Sequence, residues 1–227
     1  AEAEAEVEAE APLSAADDEA EESLEDEQAE ATPAETPAPA AAASTTPGGG
    51  NTVLVLLDVD GDKLSSPNRA ALSAAQQIAK HRGAELHICC LGSDTSSAQE
   101  ASVEGATAVH TMTNDCLGDG VSESFFAAAM TALAALPADV IVGPASTAGK
   151  GFLPRLAEGL GCGMISEILS VESADTFTRA LWAGSAIATV QGQGRLVISV
   201  RATGFDPAET KASEPQAIAF EAPNTQV

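Results

Sequence analysis

Three groups of residues in this sequence have the types to do chemistry, and spacing decides against each. Gly143, Gly149 and Lys150 suggest a phosphate cradle, in which backbone amides and a lysine hold the phosphates of a nucleotide. Five residues separate the two glycines, one more than a phosphate loop has, and Gly151 stands where that loop needs a Ser or Thr hydroxyl for magnesium. Asp58, Asp60 and Asp62 with Gly61 suggest a calcium loop, but no glutamate closes it, so a polar turn is expected. Cys89, Cys90, Cys116 and Cys162 form no Cys-x-x-Cys pair, and His81, His87 and His110 stand at no ligand spacing from them. No metal is expected; reduced, buried thiols are. Cys89 and Cys90, adjacent on a strand, face opposite sides and do not bridge easily.

The elements that would position such groups are legible from periodicity. The chain is organised around Asp139 to Leu160. Val140-Ile141-Val142 is a short β-branched run. A loop of small residues, Gly143 to Gly149, follows. A helix then begins with Pro154 in its first turn. Phe152, Leu153, Leu156, Ala157 and Leu160 share one side of that helix, while Arg155 and Glu158 face away. A strand that feeds a helix through a glycine loop is the unit of an α/β sheet, and ligands or partners meet such sheets at the strand ends.

The same unit recurs upstream. Val53 to Leu57 is a continuous apolar run, as for a strand covered on both faces. Ser66 and Pro67 start a helix that runs to about His81 and stops at Gly83. Glu85–Leu91 is a second strand. A short alanine-lined helix is expected from Asp94 or Thr95 to about Glu104, then a third strand at Ala108-Val109, and a helix from Val121 to Leu136. Four strand–helix repeats imply an α/β fold: a mostly parallel sheet with helices on both faces. After Gly161, runs at 164–170, 176–182, 186–191 and 196–201 are separated by short turns, which predicts a small antiparallel β section at the end.

Composition sets the outer bounds. The net charge is −24. Residues 1–50 hold about fifteen acidic residues and no Lys or Arg, and are expected to be a disordered acidic Ala/Glu/Pro-rich extension. Residues 51–205 make one α/β domain, and 206–227 a polar linker. The acidity argues against nucleic acid and anionic membrane as partners. No apolar stretch reaches the roughly 18–20 residues of a membrane span. The amino terminus has neither the basic region nor the apolar core of a signal peptide, and lacks the arginines of a transit peptide. The chain begins at Ala1 and reads as a piece of a longer protein.

Three stretches carry a resemblance to a known family. Residues 149–157, GKGFLPRLA, match a pattern of roughly GKxLLPRxA. Ile165-Ser166-Glu167-Ile168 matches IS-(Asp/Glu)-I. Residues 175–186, DTFTRALWAGSA, match DTFxRPIYAGNA, and Val200-Arg201 with Phe205 follow at the spacing of VRxxxF. From Thr52 to about Phe205 the chain resembles the N-terminal domain of the electron transfer flavoprotein alpha subunit. It departs at Ala180, Trp182 and Ser185, where the family has Pro, Tyr and Asn.

The resemblance implies a Rossmann-like domain in a heterodimeric electron carrier, not an enzyme. In that family FAD sits mostly in a following domain of alpha, which would lie beyond Val227, and the beta subunit holds a structural AMP. Acyl-CoA dehydrogenases of fatty-acid and amino-acid oxidation supply the electrons and a quinone oxidoreductase takes them. The implied compartment is the mitochondrial matrix, with bacterial cytoplasm the alternative. The residues expected at a subunit or interdomain contact are Lys150, Arg155, Arg179 and Gly184. Arg179 shares a strand face with Phe177 and Leu181, an odd place for a guanidinium unless it is paired or at an interface. Trp182, the single tryptophan, is expected in the core or over a sheet edge. The competing function is a stand-alone AMP- or ATP-binding or partner-assembly module without redox activity.

Overall fold

The computed structural model describes residues 51–221. The acidic extension expected at 1–50 lies outside them, as do residues 222–227. The elements are β1 (Thr52–Asp58), α1 (Ser66–Arg82), β2 (Glu85–Gly92), β3 (Ala106–Thr113), α2 (Ser122–Ala135), β4 (Val140–Pro144), α3 (Thr147–Gly159), β5 (Gly163–Val171), β6 (Thr176–Leu181), β7 (Ala186–Gln191), β8 (Leu196–Val200) and β9 (Gln216–Ala217). They build one sheet in the order β7-β6-β5-β8-β4-β1-β2-β3-β9. Neighbours from β5 through to β9 run parallel, while β5-β6-β7 pair antiparallel. The α/β class and its mostly parallel sheet agree with the sequence.

Two apolar layers sandwich the sheet, and β1 shows why its sequence is apolar throughout. Val53, Val55 and Leu57 face α1 with Ala71, Ala75 and Ile78. Leu54 and Leu56 face the α2 and α3 side with Phe125, Phe152 and Leu156. Cys89 and Cys90 are split between the same two layers. Burial pushes Cys90 to about 12 and Cys89 upward too, so both stay protonated thiols. Cys116 and Cys162 are only half-buried. Ser65, not Ser66, caps α1 by accepting from the Asn68 amide, and Gly83 ends it in a left-handed conformation.

Three expected elements come out differently. α3 begins at Thr147, inside the expected loop, so Pro154 stands within the helix and not in its first turn. The helix expected from Asp94 or Thr95 to Glu104 is a single 3-10 turn, Ser96–Glu100, without a side-chain cap. The carbonyls a longer helix would use accept from elsewhere: Gln99 from the Ser213 amide and Ser102 from the Lys211 amide. The strand at 196–201 does not join the antiparallel section. It is β8, inserted between β5 and β4 and parallel to both.

The four residues between β7 and β8 reach at most about 18 Å, too little to return along a straight strand. The β5 ladder slips between Ile165 and Ile168, and Glu167 takes a left-handed φ of 54°. The meander therefore doubles back. Arg82, at the end of α1, donates to the Ala174 carbonyl, and Gly192 lies against Leu196 at the start of β8.

Residues 206–221, expected to be linker, run along the domain. The Arg69 guanidinium forks onto the Ala208 carbonyl at 2.9 and 3.2 Å. The Ser213 hydroxyl donates to the Ala98 carbonyl. β9 then lines the far edge beside β3, with His110 opposite Gln216.

His110 is buried and stacks on His87, with Nε2 and Nδ1 3.2 Å apart. Burial, and secondarily the His87 charge, hold His110 below the usual imidazole range. A depressed folded pKa means that the unfolded chain binds the proton better. The neutral ring's contribution is full above about pH 6.5 and is lost as pH falls through the folded value. Urea unfolding is expected to show stability falling from pH 7.5 toward pH 5, with His110→Asn flattening that slope. An unchanged slope in the variant would remove His110 as its cause.

Candidate functional site

The chain order reverses between β1 and β4, so the carboxyl ends of these strands form the crevice where an α/β sheet takes its ligands. Asp58 ends β1 there, and the loop after β4 carries Ser146. The Asp58 Oδ1 atom is buried without a hydrogen-bond partner. Burial raises its carboxyl above the usual range, against a lowering by the Ser146 hydroxyl and its own backbone amide. The Asn68 side-chain amide donates to the Asp58 carbonyl at 2.7 Å.

Across the crevice α3 starts from a cap supplied by Ser146. The Ser146 hydroxyl accepts from the Gly149 amide at 3.0 Å, and its carbonyl accepts from the Lys150 amide at 2.9 Å. Gly149 serves packing, because a Cβ there would stand 2.0 Å from the Pro144 carbonyl oxygen. The Asp58 carboxyl at the strand end opposes a phosphate of AMP, ATP or FAD beside it. No cluster of three or more His, Cys, Asp or Glu side chains fit to hold a metal occurs among the described residues.

The four residues expected at a contact fall into two places. Arg155 on α3 reaches Glu123 on α2, an exposed ion pair between neighbouring helices that holds the Glu123 carboxyl below its usual range. Lys150, one turn earlier, pairs at 2.5 Å with Glu167, the residue at the β5 break. The Glu167 amide in turn donates to the buried Ser199 hydroxyl at 2.8 Å, which fixes the break to β8. Arg179 stands opposite Ile168, and the Arg201 amide donates to the Ile168 carbonyl. Both cations act on Glu167 by charge. Lys150 first, then Arg201 and Arg179, hold its carboxyl below the usual range. The Arg179 Nε is buried and has no hydrogen-bond partner.

Gly184, with φ 95°, lies in the β6–β7 turn that rises from this corner. Trp182 belongs to the same turn and is not in the core, nor does it cover a sheet edge. It is 79% exposed, and Ile187 beside it on β7 is 60% exposed. Trp182 (φ 46°) and Ala183 (φ 55°) both adopt the left-handed conformation. Non-glycine residues held there cost of order 1–3 kcal/mol each and persist where surroundings impose them. With Gly184, three consecutive positive φ values turn the chain in the four-residue connection from β6 to β7, and Trp182 stands there in solvent.

Lys150, Arg179 and Gly184 thus share one corner, and Arg155 stands apart on the helices. Sequence reasoning missed Glu167 and Arg201 as site residues although both lie in the quoted motifs. It missed Ile187 altogether, since an isoleucine in strand alternation reads as core. The groove of about 700 Å³ between α1 and the start of β2, lined by Gln76, Lys80 and Glu104 among others, lies away from this chemistry.

Comparison with known proteins agrees with the motifs. Residues 53–225 match the family described as the electron transfer flavoprotein domain. The electron transfer flavoprotein subunit alpha of Pseudomonas aeruginosa is 39% identical over 150 residues, 63% of this chain and 48% of that protein. The probable electron transfer flavoprotein subunit alpha, mitochondrial, of Caenorhabditis elegans is 28% identical over 166 residues, 72% of this chain and 49% of that protein. A Dictyostelium discoideum protein named electron transfer flavoprotein subunit alpha, mitochondrial, is 45% identical over 76 residues, 33% of this chain and 21% of that protein. The chain spans about half the length of the first two. The chain belongs to the electron transfer flavoprotein family and is of its alpha-subunit N-terminal type.

Proposed function

We propose that this chain is the N-terminal portion of the alpha subunit of a heterodimeric electron carrier, and that its work is assembly and positioning rather than catalysis. The observation that carries this is the family match over residues 53–225 together with two alpha-subunit relatives of which the chain spans about half the length. The remaining half is then available to hold FAD. The strand-end crevice supports the division of labour, since the Asp58 carboxyl there opposes a phosphate. In this reading a beta subunit, with its AMP, pairs with the domain through Lys150, Arg155, Arg179 and Gly184. The assembled carrier takes electrons from acyl-CoA dehydrogenases and yields them to a quinone oxidoreductase, in the mitochondrial matrix or the bacterial cytoplasm. No helix of the described residues is long and apolar enough to cross a membrane.

The test is co-expression of the full subunit that contains this chain with a beta-type subunit of the same organism. A yellow one-to-one pair whose extract contains flavin is the expected result. A folded pair without flavin absorbance would end the electron-carrier reading. Micromolar AMP or ATP binding by this chain alone would move weight to the nucleotide-module reading.

A further inference from the structure

Arg195 stands just before β8, and the parallel register sets it between Asp139, before β4, and Cys162, before β5. Strand alternation puts its side chain with Val197, on the side of the sheet that α2 and α3 cover. Its Nε atom is buried and has no hydrogen-bond partner. Among the described residues Arg195 forms no ion pair, and neither does Asp139 beside it. Burial pushes the half-buried Cys162 thiol up, and the Arg195 charge draws it back down.

The same side chain lines a cleft of about 220 Å³. Met130, Leu133 and Ala134 of α2, Pro137 after it and Leu160 at the cap of α3 supply the other walls, so Arg195 is the one charged side chain in an apolar lining. Chemistry and size select the occupant. A buried guanidinium donor without an acceptor gains most from a charged, planar acceptor, and a carboxylate is that group. The apolar walls gain from covering a short hydrocarbon chain. A dry cavity of about 150 Å³ accepts benzene, so this cleft suits an acid of about four to six carbons. A nucleotide or flavin is too large for it and too polar for its walls.

We propose that this cleft is a binding site for a short aliphatic carboxylate. The carboxylate of the ligand lies on the Arg195 guanidinium, and its chain lies along Met130, Leu133 and Leu160. The site is at the amino ends of β4, β5 and β8, the opposite end of the sheet from the Asp58 crevice. It does not rest on the carrier reading.

The experiment follows isotope-labelled methionine methyls by NMR in the full subunit that contains this chain, titrated with hexanoate, butyrate and hexanamide at constant ionic strength. The Met130 signal is assigned by its loss in Met130→Leu. It is expected to shift with hexanoate and to saturate at about millimolar concentration or below. Each methylene contributes about fourfold, so butyrate is expected to bind roughly fifteenfold more weakly. Hexanamide, of the same length without the charge, is expected to bind at least about tenfold more weakly. Arg195→Met is expected to remove the preference for hexanoate over hexanamide. Ala134→Leu, at an exposed position of the wall, is expected to fill the cleft and weaken hexanoate at least about tenfold. A Met130 signal unmoved at about 20 mM hexanoate, equal binding of hexanoate and hexanamide by the parent, or Ala134→Leu binding like the parent overturns the site. These three outcomes decide it even if Arg195→Met fails to fold.

Discussion

Gly149→Ala is expected to destabilise the domain by roughly 3 kcal/mol or more, a hundredfold or greater loss in the folding equilibrium. The new Cβ would stand 2.0 Å from the Pro144 carbonyl oxygen, well inside van der Waals contact. Relief would require α3 to lift away from the end of β4, and its packing forbids that. Phe152, Leu153 and Leu156 are fully buried against the sheet and α2. On the other side Gly151 faces α2 so closely that a Cβ there would meet the Ser122 hydroxyl at 2.1 Å. A small rotation of α3 to spare one contact worsens the other. The variant also strains the cap from the Ser146 hydroxyl to the Gly149 amide. Urea unfolding followed by circular dichroism measures the loss, with Lys150→Ala as the comparison because its side chain is exposed and outside the core. A Gly149→Ala midpoint equal to the parent's would show that the loop adapts, and the packing explanation of these glycines would fail.

The resemblance of Gly143, Gly149 and Lys150 to a phosphate loop shows where sequence was informative and where it was not. Spacing was enough to reject the cradle, because cradling phosphates requires a fixed number of residues between glycines. The sequence did not say what the glycines do instead, since a close approach between β4 and α3 is a tertiary fact. β1, α1, β2, α2, β4 and α3 were legible because each has a strong local period and a stop such as Gly83.

β8 was misplaced for a physical reason. A short connection implies an antiparallel neighbour only if the preceding strands stay straight. The break at Glu167 depends on Ser199, distant in sequence. One signal was nonetheless present: Leu196 to Val200 is apolar but for one serine, as an interior parallel strand should be. At the candidate site, Arg179 stood out because a guanidinium on an apolar strand face conflicts with its neighbours. Trp182 did not, because nothing local distinguishes a buried tryptophan from one held in solvent by a turn with three positive φ values.

Phe177→Ala is expected to cost about 3–5 kcal/mol and to act at a distance from where it is made. Phe177 is the one fully buried large side chain of the β6–β7 hairpin. It enters the α1-side core beside Ile168 and β8 residues, with Val171 and Val190 packed around it. Asp175 at the other turn is tied by hydrogen bonds from Ser173, Thr176 and Gln191, but these are surface contacts. The ring is therefore what fixes the hairpin, and through it the direction in which Trp182 points. Hydrogen exchange in Phe177→Ala is expected to open β6 and β7 first, while β1 and β2 amides keep their order of protection. Trp182→Ala, at the exposed tip, is expected to leave exchange and unfolding near the parent values, because little contact is lost and a left-handed strain remains. If Trp182→Ala destabilised as much as Phe177→Ala, the tip would be structural and its exposure would need another account. If Phe177→Ala accelerated exchange uniformly across the sheet, the hairpin would not be a separate unit. The contrast between the pair divides the hairpin into an anchor that holds the fold and a tip that the fold holds out.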